Sequence, residues 1–289
     1  MTVGMIGLGH LGRAIAGRLE SQGEQIIVWN RTPEKHRGLH ALIALSPADL
    51  ADRADIILVC LFDSAAVQEV LEGEHGVFKG GCRGKLIVDM TTNHFDAIER
   101  FRHLCAEAGA GYVEAPVLGS VVPASQGKLT ILVSGEQKAY EEALPILQKL
   151  GEKIFYLVQP GRATCMKLVN NLVLGAFMAT VAEATAAAEA VGLSRQQALD
   201  ILAAGAGQSA VLNAKRNKLL DSDFSPHFSV ATIHKDLAIV ADLFARYGMK
   251  EIMGPAARAA FGAAKTAGLA DSDLSAVYRI FASSLPLSP

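Results

Sequence analysis

The sequence has few of the residues that mark a disulfide framework, a zinc site or a nucleic-acid binder. Its 289 residues include only four cysteines, which are widely separated and form no C-x-x-C pair. The formal net charge of -2 lacks the basic excess expected of a protein that binds nucleic acid or an anionic membrane. We therefore predict no metal site, no nucleic-acid partner, and free thiols in a reducing cytoplasm.

The chain also lacks a long uninterrupted apolar run and a hydrophobic leader. Its most membrane-like segment, residues 172–182, is interrupted by Glu183 and is shorter than the roughly 20 residues that a membrane-spanning helix needs. This pattern predicts a buried helix and no membrane partner. A hydrophobic content of 51% is ample for the cores of one or two domains.

A glycine-rich turn near the N-terminus predicts a dinucleotide site. A short apolar run leads into a G-x-G-x-x-G turn made of Gly7, Leu8, Gly9, His10, Leu11 and Gly12. In such a turn the first glycine permits the tight bend, the second lets the backbone approach a pyrophosphate, and the third lets the following helix pack on the strand. A second strand over residues 25–29 follows at the expected distance, which argues against an ordinary glycine-rich turn.

The end of this second strand predicts which dinucleotide binds. An acidic residue there would accept hydrogen bonds from the ribose 2′-OH of NAD and would repel a 2′-phosphate. This chain has neutral Asn30 followed by cationic Arg31 and then Thr32, so NADP is favoured. The alternative is that Arg31 is a solvated surface cation.

Strands and helices alternate up to about residue 157. Strands are predicted at residues 2–7, 25–29, 56–61, 85–89, 112–115, 129–134 and 154–157, and helix-compatible stretches begin at residues 13, 33, 46, 64, 96 and 136. This alternation predicts a doubly wound, mostly parallel sheet covered on both faces. Ligands of such sheets lie beyond the C-terminal ends of the strands, which points to Leu61 and Phe62, to Thr92, and to the segment after Ala115.

That segment, residues 116–127, reads as a rigid loop because it contains two prolines and two glycines. The N–H groups around Gly119 and Ser120, with the Ser120 hydroxyl, could hold a small anion such as a carboxylate. An ordinary tight loop is the alternative.

The second half of the chain has only helical patterns. One helix is predicted from Pro160 to Gly192, roughly 45 Å long, and it carries Lys167 and Asn171 on one face in apolar surroundings. Further helices are predicted at residues 195–204, 209–220, 231–247, 255–267 and 273–283, with N-caps at Ser194 and at Asp271 or Ser272. The predicted fold is an α/β Rossmann-type domain, residues 1–161, joined by the long helix to an all-α domain, residues 162–289.

Four motifs in order resemble those of the β-hydroxyacid dehydrogenase family, which includes 3-hydroxyisobutyrate dehydrogenases and tartronate semialdehyde reductases. They are the glycine turn, residues 114–127, residues 161–171, and Lys235-Asp236-Leu237. Residues 114–127 look most like the glyoxylate/succinic semialdehyde reductase branch. The resemblance covers nearly the whole chain, and it implies a second domain like that of 6-phosphogluconate dehydrogenase and a homodimer or homotetramer.

The resemblance also implies roles for single residues. Lys167 would be the catalytic residue, Asn171 would orient the substrate, Thr92 would contact the nicotinamide end, and Lys235 would reach the cofactor. The pocket-lining positions of the family are matched by Phe228 and Asp236.

Chemistry supports the role of the lysine, because a positioned ammonium can stabilise charge on a carbonyl oxygen and supply its proton. The function predicted is an NADPH-dependent reductase of small aldehydes that bear a carboxylate, such as glyoxylate, succinic semialdehyde or tartronate semialdehyde. At Leu118 the family commonly has a serine that binds the substrate carboxylate, so the substrate itself stays open. Imine reduction and a catalytically silent dinucleotide-binding module are the alternatives.

Overall fold

The computed structural model describes residues 1–283. The chain divides into two compact units, the first covering residues 1–167 and the second beginning at Leu168. The strands, all in the first unit, are β1 (Val3–Ile6), β2 (Ile26–Trp29), β3 (Leu42–Ile43), β4 (Ile56–Val59), β5 (Leu86–Asp89), β6 (Gly111–Glu114), β7 (Val117–Leu118), β8 (Leu129–Gly135) and β9 (Gly151–Tyr156). Its helices are α1 (His10–Ser21), α2 (Pro47–Arg53), α3 (Ser64–Glu72), α4 (Ala97–Glu107), α5 (Val121–Gln126) and α6 (Gln137–Leu150).

The nine strands form one sheet in the order β3-β2-β1-β4-β5-β6-β8-β7, and β9 pairs with β8. Neighbouring strands from β3 to β6 are parallel, as are β8 and β9, whereas β8 runs antiparallel to both β6 and β7. This topology confirms the predicted doubly wound architecture.

Strands β1, β4 and β5 are buried on both faces of the sheet, since successive strand residues point to opposite sides. In β2, Ile26 and Val28 belong to the core cluster that includes residues of α1 and α6, whereas Ile27 belongs to the cluster that includes residues of α2, α3 and α4. The uniformly apolar strands therefore reflect two cores, one on each face.

Two expectations for the first unit were wrong. Residues 116–127 are not a plain loop, since they contain strand β7 and the short helix α5. The stretch after Pro33 forms only a 3₁₀ turn, Pro33–His36, and the edge strand β3 that follows it was not predicted. A strand of two exposed residues is too short to leave a pattern, and it exists because it pairs with β2.

The long helix α7 (Arg162–Ala190) begins in the first unit and continues into the second. By length and composition, α7 is long and apolar enough to cross a membrane. The core helix of a soluble protein can have the same length and composition, and 44% of an apolar 18-residue window of α7 is buried. The helices after it are α8 (Arg195–Ala204), α9 (Ala210–Asp221), α10 (Val230–Arg246), α11 (Met253–Ala264) and α12 (Tyr278–Ala282).

The second unit is helical, as predicted, and within residues 168–283 its β-type pairing is one bridge between Ser229 and Asp273. Ser194 caps α8 in a reciprocal capping box with Gln197. The predicted cap at Asp271 or Ser272 was wrong, because Asp273 caps a 3₁₀ turn, Leu274–Val277, that precedes the short α12. Residues 284–289 of the predicted second domain lie outside the described residues.

Candidate dinucleotide and substrate site

The glycine turn has the geometry that a dinucleotide requires. Gly7 has φ of 95°, and a Cβ there would overlap the Cys60 carbonyl oxygen, while a Cβ at Gly12 would overlap the Gly7 carbonyl oxygen. A Cβ at Gly9 would meet nothing within 4 Å, so the backbone before α1 borders open space. His10 is exposed, and Leu11 is half-buried. The turn therefore fits a pyrophosphate at the N-terminus of α1.

Asn30 connects the end of β2 to the glycine turn. Its Oδ1 accepts a hydrogen bond of 2.8 Å from the Leu8 amide, and its Nδ2 donates to the Thr32 carbonyl at 2.9 Å. Arg31 and Thr32 are exposed beside it. Asn30 therefore holds the shape of the turn, and Arg31 is the residue of this trio whose charge faces solvent.

A second side chain shapes the segment after Arg31, and sequence reasoning missed it. Arg13, in the first turns of α1, donates to the Lys35 carbonyl at 2.6 Å and to the Arg37 carbonyl. An arginine that binds two carbonyls fixes a backbone path, because its guanidinium donors are rigidly spaced. Its position directly after the glycine turn was the available signal.

The ends of β4 and β5 are joined by hydrogen bonds. The Leu61 amide donates to Thr91 Oγ1 at 3.0 Å, and Asp89 accepts from the Thr91 amide at 2.9 Å and from Asn93 Nδ2 at 2.8 Å. Thr92 lies between Thr91 and Asn93, which Asp89 anchors. Phe62 is exposed. The predicted cofactor residues of this region therefore sit on backbone that Asp89 holds in place.

Asp89 was not among the predicted site residues. It is fully buried and also accepts a hydrogen bond of 3.0 Å from the Tyr112 hydroxyl. Burial raises the pKa of Asp89 above its ordinary value of 3.8, although the donors Thr91, Asn93 and Tyr112 act in the opposite direction. An acid that ends an otherwise apolar strand was the sequence signal for it.

Lys167 is buried on the first turns of α7, with 7% of its surface exposed. Its Nζ donates a hydrogen bond of 2.8 Å to the Val117 carbonyl in β7. Leu118 follows Val117 and is half-buried, and Gly119 (φ 113°) and Ser120 lead from there into α5. The ammonium thus lies at the backbone of the segment predicted to bind the substrate.

The thiol of Cys60 shares these surroundings. Burial and the Asp89 carboxylate raise the pKa of the Cys60 thiol to about 12, and Lys167 acts in the opposite direction. A thiol with so high a pKa is not a nucleophile at neutral pH. Within residues 1–283, no group of three or more His, Cys, Asp or Glu side chains could hold a metal ion.

In the second unit Asp236 contacts two other predicted residues, Asn171 and Lys235. Asn171 Nδ2 donates to Asp236 Oδ2 at 2.6 Å, and both residues are fully buried. The Lys235 ammonium lies 2.8 Å from Asp236 Oδ1, in a direction that forms no hydrogen bond with that oxygen. The carboxylate therefore fixes the Asn171 amide with its nitrogen toward Asp236.

Phe228 precedes α10 and is half-buried. Its amide donates to Asp273 Oδ2 at 3.3 Å, and the neighbouring His227 amide donates to the same oxygen at 3.1 Å. The backbone that carries this predicted pocket residue is therefore held by a buried aspartate that sequence reasoning assigned only to a helix start.

Two family models match the chain. Residues 2–158 match the NAD binding domain of 6-phosphogluconate dehydrogenase, and residues 161–281 match the model described as NAD-binding of NADP-dependent 3-hydroxyisobutyrate dehydrogenase. The first match covers the sheet and its helices, and the second covers all of α7, the helices α8 to α11 and most of α12.

Curated relatives match over the same length of this chain. Cytokine-like nuclear factor N-PAC of Mus musculus is 35% identical over 96% of the chain, which spans only 50% of that protein. Glyoxylate/succinic semialdehyde reductase 1 of Arabidopsis thaliana is 33% identical over 96% of the chain and 97% of that protein.

Two solved structures share the fold closely. The 3-hydroxyisobutyrate dehydrogenase of Salmonella typhimurium has a TM-score of 0.89 at 25% identity, over 97% of this chain and 100% of that one. The structure of Psf3 in complex with NADP+ and 2-OPP also has a TM-score of 0.89, at 28% identity, over 96% of this chain and 99% of that one.

Proposed function

The chain belongs to the β-hydroxyacid dehydrogenase family, and we propose that it is an NADPH-dependent reductase of small aldehydes that carry a carboxylate, such as glyoxylate, succinic semialdehyde or tartronate semialdehyde. In reverse it would act as a hydroxyacid dehydrogenase. The observation that carries the proposal is the buried Lys167, whose ammonium is held 2.8 Å from the Val117 carbonyl in a unit that also contains the glycine turn.

The residues that the sequence predicts to bind NADPH would hold the cofactor. The turn from Gly7 to Gly12 would bind the pyrophosphate, and the exposed Arg31 would pair with the 2′-phosphate. Thr92 would contact the nicotinamide end, and Lys235 would reach the cofactor. When bound, NADPH supplies the hydride that reduces the aldehyde carbon.

Lys167 would supply the proton. As the carbonyl oxygen gains negative charge, the ammonium stabilises that charge and then transfers a proton from Nζ to the oxygen, which leaves an alcohol and a neutral amine. Asn171, oriented by Asp236, would hold the substrate, and Phe228 would line the pocket. Gly119 and Ser120 would receive the carboxylate because Leu118 offers no hydrogen-bond donor from its side chain.

Substrate screening of wild type and Lys167→Ala tests this function. We expect wild type to oxidise NADPH with at least one aldehyde of the glyoxylate and succinic semialdehyde class, and Lys167→Ala to lose about 10² to 10⁴ in kcat while NADPH binding changes little. Lys167→Arg is the control, because it keeps the charge but is a poor proton donor. Wild-type kcat/KM in Lys167→Ala would show that another group supplies the proton.

The Arg31→Ala variant tests the cofactor choice. We expect its preference for NADPH over NADH to fall by about 10-fold or more, since a charge-assisted phosphate contact contributes about 1.5 to 3 kcal/mol. Arg37→Ala removes a neighbouring exposed cation of the same segment and is the matched control. An equal loss of preference in both variants would assign the selectivity to the charge of the whole segment.

We also propose that the protein is a cytoplasmic homodimer or homotetramer. Met166, Val169, Val173 and Phe177 form an exposed apolar stripe at helical spacing on α7. The four cysteines are free, which suits a reducing compartment. Sedimentation velocity on wild type and Val173→Asp tests the assembly. A monomeric wild type at micromolar concentration would contradict it.

A second candidate is a catalytically silent dinucleotide-binding module of a larger protein. It is favoured by the match to N-PAC, because the chain spans about half the length of that relative. Tight NADPH binding by calorimetry, with no turnover on any aldehyde of the panel, would support this candidate over the reductase.

A further inference from the structure

A buried carboxylate joins the end of β6 to the beginning of α7. Glu114, the last residue of β6, is 1% exposed. Its Oε2 accepts hydrogen bonds from the Thr164 amide at 2.9 Å and from the Thr164 hydroxyl at 2.6 Å, and its Oε1 accepts from the Gly161 amide. One side chain therefore receives three donors from a segment 50 residues away in the sequence.

These contacts complete the hydrogen bonding of the helix end. The Ala163 amide donates to Ser134 Oγ at 2.8 Å, and the Cys165 amide makes the first bond within the helix, to the Gly161 carbonyl at 2.9 Å. The carboxylate lies at the positive end of the helix dipole, where a negative charge is stabilised. Burial nevertheless raises the pKa of Glu114 above its ordinary value, against the hydrogen bonds from Thr164 and Gly161, so ionised Glu114 is a costly cap.

The same short segment also holds the lysine. Glu114 accepts hydrogen bonds from Thr164. Three residues further along each segment, Val117 accepts the hydrogen bond from Lys167. Residues three apart lie on one face of a helix. Two sets of hydrogen bonds with the same three-residue spacing therefore join residues 114–117 to the first turns of α7. One is made by the Glu114 carboxylate and the other by the Lys167 ammonium.

We propose that Glu114 is a positioning residue for Lys167: it fixes the register of α7 against residues 114–117, so that the ammonium reaches the Val117 carbonyl and the reacting carbonyl beyond it. This inference rests on the proposed function for its effect on catalysis. Ser134 binds the same helix end through its hydroxyl, whereas its backbone in β8 pairs with Glu114 in β6. Removing the Ser134 hydroxyl therefore takes away a contact to the helix and leaves both the strand pairing and the Glu114 carboxylate in place.

Four variants separate positioning from simple capping. Glu114→Gln replaces one carboxylate oxygen by an amide that cannot accept the donors of α7. Thr164→Val removes one donor and keeps the carboxylate, and Thr164→Ser restores the hydroxyl. Ser134→Ala removes the acceptor of the Ala163 amide and is the matched control.

With NADPH and glyoxylate or succinic semialdehyde, we expect Glu114→Gln to lower kcat about 10- to 100-fold, with KM and the NADPH dissociation constant within about twofold of wild type. Thr164→Val should show a smaller loss in the same direction, and Thr164→Ser should recover it. Ser134→Ala should keep kcat within about twofold even if its melting temperature falls. If Glu114→Gln does not fold, the Thr164 pair decides.

A loss of kcat in Ser134→Ala equal to that in Glu114→Gln would overturn the proposal, and so would wild-type kcat in Thr164→Val. A readout without substrate separates this outcome from failure of the proposed function. In apo protein labelled with 13C-lysine, the Lys167 Cε NMR signal, assigned with Lys167→Arg, should move in Glu114→Gln and Thr164→Val and stay in Ser134→Ala. An unmoved signal overturns the positioning role, whereas a moved signal with no turnover on any aldehyde counts against the reductase alone.

Discussion

Asp89 in the first unit and Asp273 in the second are both completely buried, yet the pKa values of their carboxyl groups move in opposite directions. Asp89 in the first unit is surrounded by neutral donors, namely the Thr91 amide, Asn93 and Tyr112. Burial dominates there and raises the pKa of Asp89.

Asp273 in the second unit receives a cation as well as neutral donors. Lys215 Nζ lies 2.8 Å from its Oδ2, and the amides of His227, Phe228 and Ser275 also donate to it. Burial is the largest single influence and raises the pKa of Asp273, but Lys215 and the hydrogen bonds of Ser275 together outweigh it and hold this pKa below 3.8. Burial, together with the nearby Lys218, lowers the pKa of Lys215 although Asp273 acts to raise it, so the pair is costly for the lysine.

The difference shows that burial alone does not decide the charge state of an acid. A cation together with several hydrogen bonds lowers the pKa of the fully buried Asp273, whereas the neutral donors of Asp89 leave its pKa raised. The practical consequence is that Asp273 anchors its loop as an ion pair, and Asp89 anchors its loop through hydrogen bonds.

The largest expected effect comes from removing the charge of Asp273. Asp273→Asn leaves the Lys215 ammonium buried without its counter-charge, and we expect a loss of about 3 to 5 kcal/mol in the free energy of unfolding, measured by urea denaturation. The double variant Lys215→Met with Asp273→Asn should be more stable than Asp273→Asn alone, because it removes the uncompensated charge.

The exposed pair of Asp200 and Arg216 provides the control for that prediction. Asp200→Asn should change the stability little, since solvent screens a surface pair. If Asp273→Asn is no more destabilising than Asp200→Asn, the Lys215 and Asp273 pair is not what holds the loop before α10.

A smaller loss is expected from Tyr112→Phe, which removes one of the three neutral donors of Asp89. We expect the free energy of unfolding to fall by about 1 to 3 kcal/mol, because a buried acceptor loses a partner. Tyr156→Phe is the matched control, since its hydroxyl donates to the Gly135 carbonyl at 2.8 Å, a neutral acceptor. A larger loss in Tyr156→Phe would mean that the Asp89 network contributes little to stability.

The smallest effect is a difference in pH dependence, and it has opposite signs in the two units. The lowered pKa of Asp273 means that its contribution to stability is present above its ordinary pKa of 3.8 and is lost as the pH falls. The raised pKa of Asp89 means that its contribution is present below 3.8 and is lost as the pH rises through the raised value.

Urea denaturation from about pH 3 to about pH 7 measures both contributions as differences from wild type. The difference in the free energy of unfolding between wild type and Asp273→Asn should widen with rising pH. The corresponding difference for Asp89→Asn should narrow. Gaps that change in the same direction would contradict the opposite charge behaviour of the two aspartates.

Much of the fold could be predicted because its signals are local. The apolar run that became β4 is buried on both faces, and Ser194 with Gln197 caps α8 as the capping pattern indicates. The segment after Ala115 could not be predicted in the same way. Pro123 suggested a loop, but it lies in the first turn of α5, where a missing N–H costs little.

Prediction of the candidate site was limited to residues with a motif or a characteristic spacing. The i, i+4 pair of Lys167 and Asn171 was found, yet their partners Val117 and Asp236 lie 50 and 65 residues away. Asp236 was predicted only as a pocket residue, and its hold on the Asn171 amide was not. Contacts over such separations depend on which strands and helices come together, and no local pattern records that.

The sequence by itself determined the alternating strands and helices, the glycine turn before α1, and the placement of Lys167 and Asn171 on one face of α7. These follow from steric and periodic properties of neighbouring residues. Only the tertiary structure decided that Glu114 holds the beginning of α7 and that Lys167 binds a backbone carbonyl. It also decided that the pKa of Asp89 is raised while the pKa of Asp273 is lowered. Desolvation and hydrogen bonding depend on what packs around a group in space, and residues distant in the sequence supply those surroundings.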